Sequence, residues 1–201
     1  MYKIIAAIAR TILFVNGAKA KVYNKENVPT EGGFVIACTH TGYVDIFNLA
    51  ASIYPREIHF MAKKQLFEIK GLGWLIRNLN AFPVDRENPG PSVIKIPRQL
   101  IKDGKIVGIF PSGTRTTEAT NLKQGAVTIA QLSKSQIVPA AYVGPKDFKG
   151  MFKREKAYLI YGEPFTIEAG KEEREAAGLH LEAELLRLTA ELEKIAAADK
   201  K

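Results

Sequence analysis

The sequence predicts an α/β fold: a mixed, largely parallel sheet flanked by helices, in one domain behind an N-terminal helix. Short apolar runs bounded by turn residues alternate with segments whose apolar residues recur at helical spacing, the pattern of strands joined by crossover helices. The composition, 46% apolar and 25% charged over 201 residues, is that of a chain able to bury one sizeable core. No internal repeat and no Gly/Ser- or Pro-rich linker interrupts it. The expected division is an interfacial helix in residues 1–20 and a single domain over 21–201.

Taken in order, residues 1–17, MYKIIAAIARTILFVNG, are the most apolar stretch and read as a helix. Phe34–Thr39 (FVIACT) is a buried strand, Val44–Ile53 an amphipathic helix, and Glu57–Ala62 a second strand. Gly71–Asn80 is helical despite Gly73, and Ala81–Val84 is strand-like. Ser92–Asp103 is a helix that Pro97 must kink or restart, because proline lacks the N–H that the helical ladder needs. Ile106–Phe110 is a strand, Ala126–Ser133 a helix, and Ile137–Val143 and Tyr158–Tyr161 are two further strands. Leu181, Leu185, Leu188, Leu192 and Ile195 mark one apolar seam on a long last helix.

Lys3 and Arg10 divide the first helix into runs too short to span a bilayer, which takes about 20 apolar residues. The longest run, Ile4–Ala9, has six residues, short of a secretory h-region. Ala18-Lys19-Ala20 nevertheless has the form of a cleavage site and keeps a signal peptide open. Lys3, Arg10 and Gly17 lie seven apart on one narrow stripe, which suits a helix lying in a bilayer interface with its cations at headgroup level. Packing on the domain's own core is the alternative.

Lys and Arg total 29 against 21 Asp and Glu, a formal charge of +8. Residues 1–150 hold 20 basic and 10 acidic side chains, so the excess lies there and an anionic partner is expected to meet that part. The lone Cys38 excludes an internal disulfide and a multi-cysteine zinc site, and fits a reducing compartment.

Three loops after strand ends carry the chemistry. The first holds His40-Thr41-Gly42-Tyr43-Val44-Asp45. On a continuous helix a spacing of five would separate the two side chains by about 140°. If His40 ends the strand loop and Asp45 lies in the first helical turn, the chain reverses and the carboxylate reaches the imidazole, as a base-orienting partner must. Gly42 supplies backbone freedom for that turn. On spacing alone, a loop histidine beside a helix-capping aspartate is the better description. The second is Ala81-Phe82-Pro83-Val84-Asp85-Arg86, a short strand delivering an arginine to a loop, and the third is Ile109-Phe110-Pro111-Ser112-Gly113-Thr114-Arg115-Thr116, an apolar strand ending in a Pro/Gly turn. A Pro/Gly turn with a guanidinium beside it can receive an oxyanion or phosphate, and an open parallel sheet binds ligands at this edge. A surface ion pair is the plain alternative for either arginine.

Together these blocks resemble the 1-acyl-glycerol-3-phosphate acyltransferase family of the PlsC type, in order over roughly residues 30–165. His40 and Asp45 match its His-x4-Asp motif. Phe60-Met61-Ala62-Lys63 with Leu66-Phe67, then Phe82–Arg86, Phe110–Arg115, Ile137-Val138-Pro139-Ala140 and Tyr161-Gly162-Glu163-Pro164-Phe165 match later segments. The resemblance implies an acyltransferase that moves a fatty acyl group from a thioester of coenzyme A or acyl carrier protein to a lysophospholipid hydroxyl, giving phosphatidic acid. It implies His40 as general base and Asp45 as its orienting partner. Arg86, Gly113, Thr114 and Arg115 would hold the substrate phosphate, with Ser112 and Lys63 as further acceptor contacts. No cofactor, no metal and no nucleic acid are expected, and the place of work is the cytoplasmic face of the cell membrane, on an anionic surface. Cys38 is expected to face away from His40 and to be a small core residue rather than a nucleophile.

Ser112 stands where the family commonly has Glu, and Thr39 and Gly42 replace the usual residues around the histidine, which leaves another lysolipid acceptor open. A non-catalytic basic membrane-binding protein would need neither His40 nor Asp45. A lipid hydrolase lacks support, since no Gly-x-Ser-x-Gly elbow occurs.

Overall fold

The computed structural model describes the chain except residues 86, 87, 89, 113–116, 200 and 201, and gives backbone alone for 112 and 117–123. In chain order the elements are α1 (Tyr2–Val15), β1 (Lys21–Tyr23), β2 (Phe34–Thr39), α2 (Val44–Ser52), β3 (Ile58–Lys63), α3 (Leu72–Asn78), β4 (Phe82–Val84), α4 (Ser92–Lys102), β5 (Ile106–Ser112), α5 (Thr117–Ser133), β6 (Ile137–Val143), α6 (Phe148–Phe152), β7 (Tyr158–Tyr161) and α7 (Lys171–Ala198).

Seven strands form one sheet in the order β1-β7-β6-β2-β5-β3-β4. Among the described strand pairs, only β6–β7 is antiparallel. The predicted α/β class and mixed, largely parallel sheet are therefore what the chain adopts. Alternation along β2 sends its side chains to two cores. Val35 and Ala37 pack with Ala126, Ile129 and Ala130 of α5 and with Leu181 and Leu185 of α7. Phe34, Ile36 and Cys38 pack with Leu49 and Ile53 at α2. Thus α2 and α5 cover opposite faces, although they follow neighbouring strands. The seam of α7 continues through Leu188 and Leu192 onto β6 and β7, each buried leucine contributing about 1.5–3 kcal/mol.

Several details differ from the sequence-based expectation. The helix with Pro97 runs from Ser92 to Lys102 without a restart, and Pro97 is buried. The helix after β5 begins at Thr117, nine residues before Ala126, because its first turns are polar and carry no apolar period. The short β1 and α6 lack a periodic signal altogether. Helix α1 ends at Val15, whereas Ala18 and Ala20 are buried in the body. Buried Asn48 of α2 holds this root, accepting from the Ala20 N–H at 2.8 Å and donating to the Ala18 carbonyl at 3.0 Å. Among the described residues no helix is long and apolar enough to cross a membrane.

The far end of α7 is tied back to the sheet edge. Asp199 accepts from the Tyr158 hydroxyl at 2.6 Å and pairs with Lys21 at 2.8 Å and Lys156 at 3.1 Å. Bonds from Lys21, Tyr158 and Lys156 hold its carboxyl well below the ordinary carboxylate range. A depressed acid stabilises the fold at neutral pH and loses that contribution as pH falls below its unfolded value of about 3.9. Asp199→Asn should lower the thermal midpoint at pH 7, and the gap to the parent chain should narrow below about pH 4. Melting curves across that range check it; a gap independent of pH would mean the carboxylate charge is not what holds the end of α7.

Candidate active site

The connections leaving β2 and β5 turn to opposite faces, so their adjoining C-terminal ends form a topological switch point, where open parallel sheets bind ligands. The ladder is irregular there. Ala37 faces Ile109, but Thr39 faces Ser112, so β5 carries one extra residue. Pro111 offers no N–H to continue the ladder, and a bulge at such a place re-aims the side chains that follow.

His40 leaves β2 and lies over the ring of Phe110, with centroids 4.6 Å apart; Phe110 in turn stacks on Phe60 at 5.6 Å. The chain then reverses through Thr41 and Gly42 into α2, placing Asp45 in its first turn. Asp45 is fully buried. Its Oδ2 accepts from the Thr41 N–H at 2.7 Å and the Gly42 N–H at 3.0 Å, and lies 3.2 Å from His40 Nδ1. One oxygen thus gathers the whole loop. With Nδ1 protonated toward Asp45, Nε2 is the nitrogen that carries the lone pair and can act as a base. His40 is about one-third exposed, so the imidazole can meet a substrate while its partner stays dry.

Gly42 is needed for a reason other than the one expected. It does not adopt a positive φ; instead, a Cβ there would collide with the backbone carbonyl of Lys146. The neighbouring Tyr43 N–H donates to that carbonyl at 2.8 Å. The loop after β6 therefore buttresses the His40 loop. Thr39 takes part as well, its Oγ1 accepting from the Tyr142 N–H of β6 at 3.0 Å.

The expected orientation of Cys38 is wrong. Residues two apart on a strand share a face, and both Cys38 and Phe110, on which His40 rests, belong to the α2-side core. Burial, followed by the nearby Asp45 charge, pushes the Cys38 thiol well above its usual value. It is a protonated core residue.

Lys63 ends β3 in register with Val84 at the end of β4, exposed at the same sheet edge as His40. Arg86, Gly113, Thr114 and Arg115 lie outside the described residues, as does the side chain of Ser112. The strands before them, β4 and β5, deliver the chain to that edge. The two later motif segments bind each other instead of lining the site: Ile137 and Phe165 exchange backbone hydrogen bonds at 2.9 and 3.1 Å, and the Gly162 N–H donates to the Pro139 carbonyl. Among the described residues, no group of three or more His, Cys, Asp or Glu side chains is placed to hold a metal ion. Phe110 and the Lys146 carbonyl are parts of the site that sequence reasoning did not single out.

A sequence pattern described as Acyltransferase matches residues 19–143, more than half of the chain. The chain belongs to the acyltransferase family. The acyltransferase is 58% identical, over 82% of its own length and 82% of the relative's, to the 1-acyl-sn-glycerol-3-phosphate acyltransferase of Bacillus subtilis (strain 168). It is 34% identical to the protein of that name from Streptococcus pneumoniae, over 83% of this chain and 63% of the other. Its fold matches the crystal structure of the 1-acyl-sn-glycerophosphate acyltransferase PlsC from Thermotoga maritima with a TM-score of 0.65 at 22% identity, covering 93% of this acyltransferase and 79% of that chain. The match supports the α/β fold over almost the whole chain.

Proposed function

We propose that this acyltransferase moves a fatty acyl group from a coenzyme A or acyl-carrier-protein thioester to the free hydroxyl of 1-acyl-glycerol-3-phosphate, giving phosphatidic acid. The observation that carries the chemistry is the His40–Asp45 pair at the β2–β5 switch point. The names of the relatives support the choice of acceptor. In this reading Nε2 of His40 removes the hydroxyl proton as the oxygen attacks the thioester carbonyl. The tetrahedral intermediate collapses with loss of the C–S bond, and the imidazolium returns the proton to the departing thiolate. Asp45 keeps Nδ1 protonated and offsets the charge that His40 gains. Cys38, buried and protonated, takes no part, so no acyl-enzyme is formed.

Arg86 and Arg115, with Gly113 and Thr114, hold the acceptor's phosphate, and Lys63 and Ser112 are further contacts to the acceptor. The exposed side of α1, with Ile4, Ile8 and Ile12 in line, rests in the interface of an anionic membrane at the cytoplasmic face. Arg10 serves the body rather than the headgroups, its guanidinium lying 4.3 Å over the Tyr54 ring. The test is an assay of purified protein on lysophosphatidate with both classes of thioester, repeated with a phosphate-free monoacylglycerol acceptor. Arg86→Ala and Arg115→Ala should each weaken use of the phosphate-bearing acceptor about 10- to 150-fold, the worth of one charge-assisted bond, and leave the phosphate-free acceptor nearly untouched. Lysine should rescue only partly, lacking the planar fork. Equal losses on both acceptors would make the arginines structural, and no transfer to lysophosphatidate would move the acceptor to another lysolipid.

A further inference from the structure

We propose that α6 is a second membrane-contact element, which seats the mouth of the His40 site on an anionic bilayer. The helix follows β6, which runs parallel to β2, so it lies at the same sheet edge as His40. It is only five residues long, yet both of its ends are finished. Asp147 caps its start, accepting from the Gly150 N–H at 2.8 Å. Its exit uses a left-handed Arg154, with the Arg154 N–H bonded to the Met151 carbonyl and the Glu155 N–H to that of Gly150. Glycine ordinarily fills that position. Gly150 and Met151 form its inner face, and Met151 packs with Leu13 of α1 and Val44 of α2.

This well-fixed turn presents its bulk outward. Phe148 is 51% exposed and Phe152 67%, and Tyr43, on the loop hydrogen-bonded to Lys146, is 67% exposed. Large apolar rings set this openly on a rigid support mark an interaction surface rather than an unfinished core. The charge around them identifies the partner. Lys146, Lys149, Lys153 and Arg154 neighbour the two phenylalanines in the chain and are all exposed, against Glu155 and an Asp147 already engaged in capping. Aromatic rings with a ring of cations match the boundary between acyl chains and anionic headgroups. Because α6 and α1 share a core through Met151 and Leu13, the two elements would touch one lipid surface together. Contact at two separated elements fixes orientation as well as attachment, and turns the His40 edge toward the lipid.

The inference rests on the reading of α1 as an interfacial helix, and the test separates the two. Cys38 is fully buried, so a cysteine introduced on the surface can be labelled selectively with an environment-sensitive dye. Full-length Phe152→Cys, Ile8→Cys and, as a distant control, Glu193→Cys are titrated with phosphatidylcholine vesicles containing phosphatidylglycerol. Blue shifts at 152 and 8 but not at 193 are expected. In parallel, Phe148→Ser combined with Phe152→Ser should weaken vesicle partitioning about tenfold, equivalent to about 1.4 kcal/mol, with an unchanged thermal midpoint. A shift at 8 alone would overturn the role of α6 and leave that of α1 standing. No shift at either position would overturn both. A shift at 152 that needs added acyl carrier protein rather than vesicles would also overturn it, assigning the rings to a protein partner.

Discussion

His40→Ala is expected to lower the rate of acyl transfer by about 10²–10⁴ while leaving thermal stability and vesicle binding close to those of the parent chain. The imidazole stands outside both large cores, rests on Phe110 and is partly open to solvent, so its removal creates no sealed cavity. On the proposed mechanism, what is lost is the acceptor for the hydroxyl proton. The decisive measurement is the single-turnover rate with saturating lysophosphatidate, together with a melting curve. A variant that keeps more than about a tenth of the activity, short of the smallest effect of a general base, would remove His40 from the mechanism.

Asp45→Asn is expected to reduce kcat by up to about 10⁴ and change KM for the acceptor far less. The amide is nearly the same size, and its oxygen can still receive the Thr41 and Gly42 N–H groups that Oδ2 now receives. That choice turns the NH₂ group toward other neighbours and keeps an acceptor beside Nδ1, so the tautomer is retained while the negative charge is removed. The histidine then loses the counter-charge for the imidazolium it forms in the proposed mechanism. If the substitution raised KM and spared kcat, Asp45 would be a loop-shaping residue whose charge is irrelevant to catalysis. Stability must be read alongside, because the same oxygen organises the turn.

The parts of the molecule legible in the sequence are those written in apolar runs. Phe34–Thr39, Ile137–Val143 and Tyr158–Tyr161 were expected as strands and have those bounds, because strands buried on both faces leave a continuous apolar signature. The pairing of His40 with Asp45 was also readable as a strand loop closing onto a helix start. Other features depend on contacts that no local pattern encodes. Strand β1 has three residues and exists by pairing with β7, and α6 exists by its caps and the burial of Met151. The need for glycine at 42 comes from Lys146, a hundred residues on, whose carbonyl occupies the space of a side chain. Phe110 stood in a motif segment but its place beneath the imidazole depends on the irregular β2–β5 register, which no local pattern encodes.

Asn48 gives the molecule a mechanical property that its chemistry does not advertise. It stands three residues after Asp45 on α2, about 4.5 Å along the axis, and it clamps the backbone on either side of Lys19 where α1 joins the body. The joint that bears the first helix and the carboxylate that aims the imidazole therefore sit on one short, stiff beam. Only Asn16 and Gly17 separate the end of α1 from the clamped Ala18. The lever arm is less than one helical turn. On the proposed reading, in which α1 rests in a bilayer and His40 is the base, the seating of the first helix and the aim of the imidazole are therefore set from the same short helix.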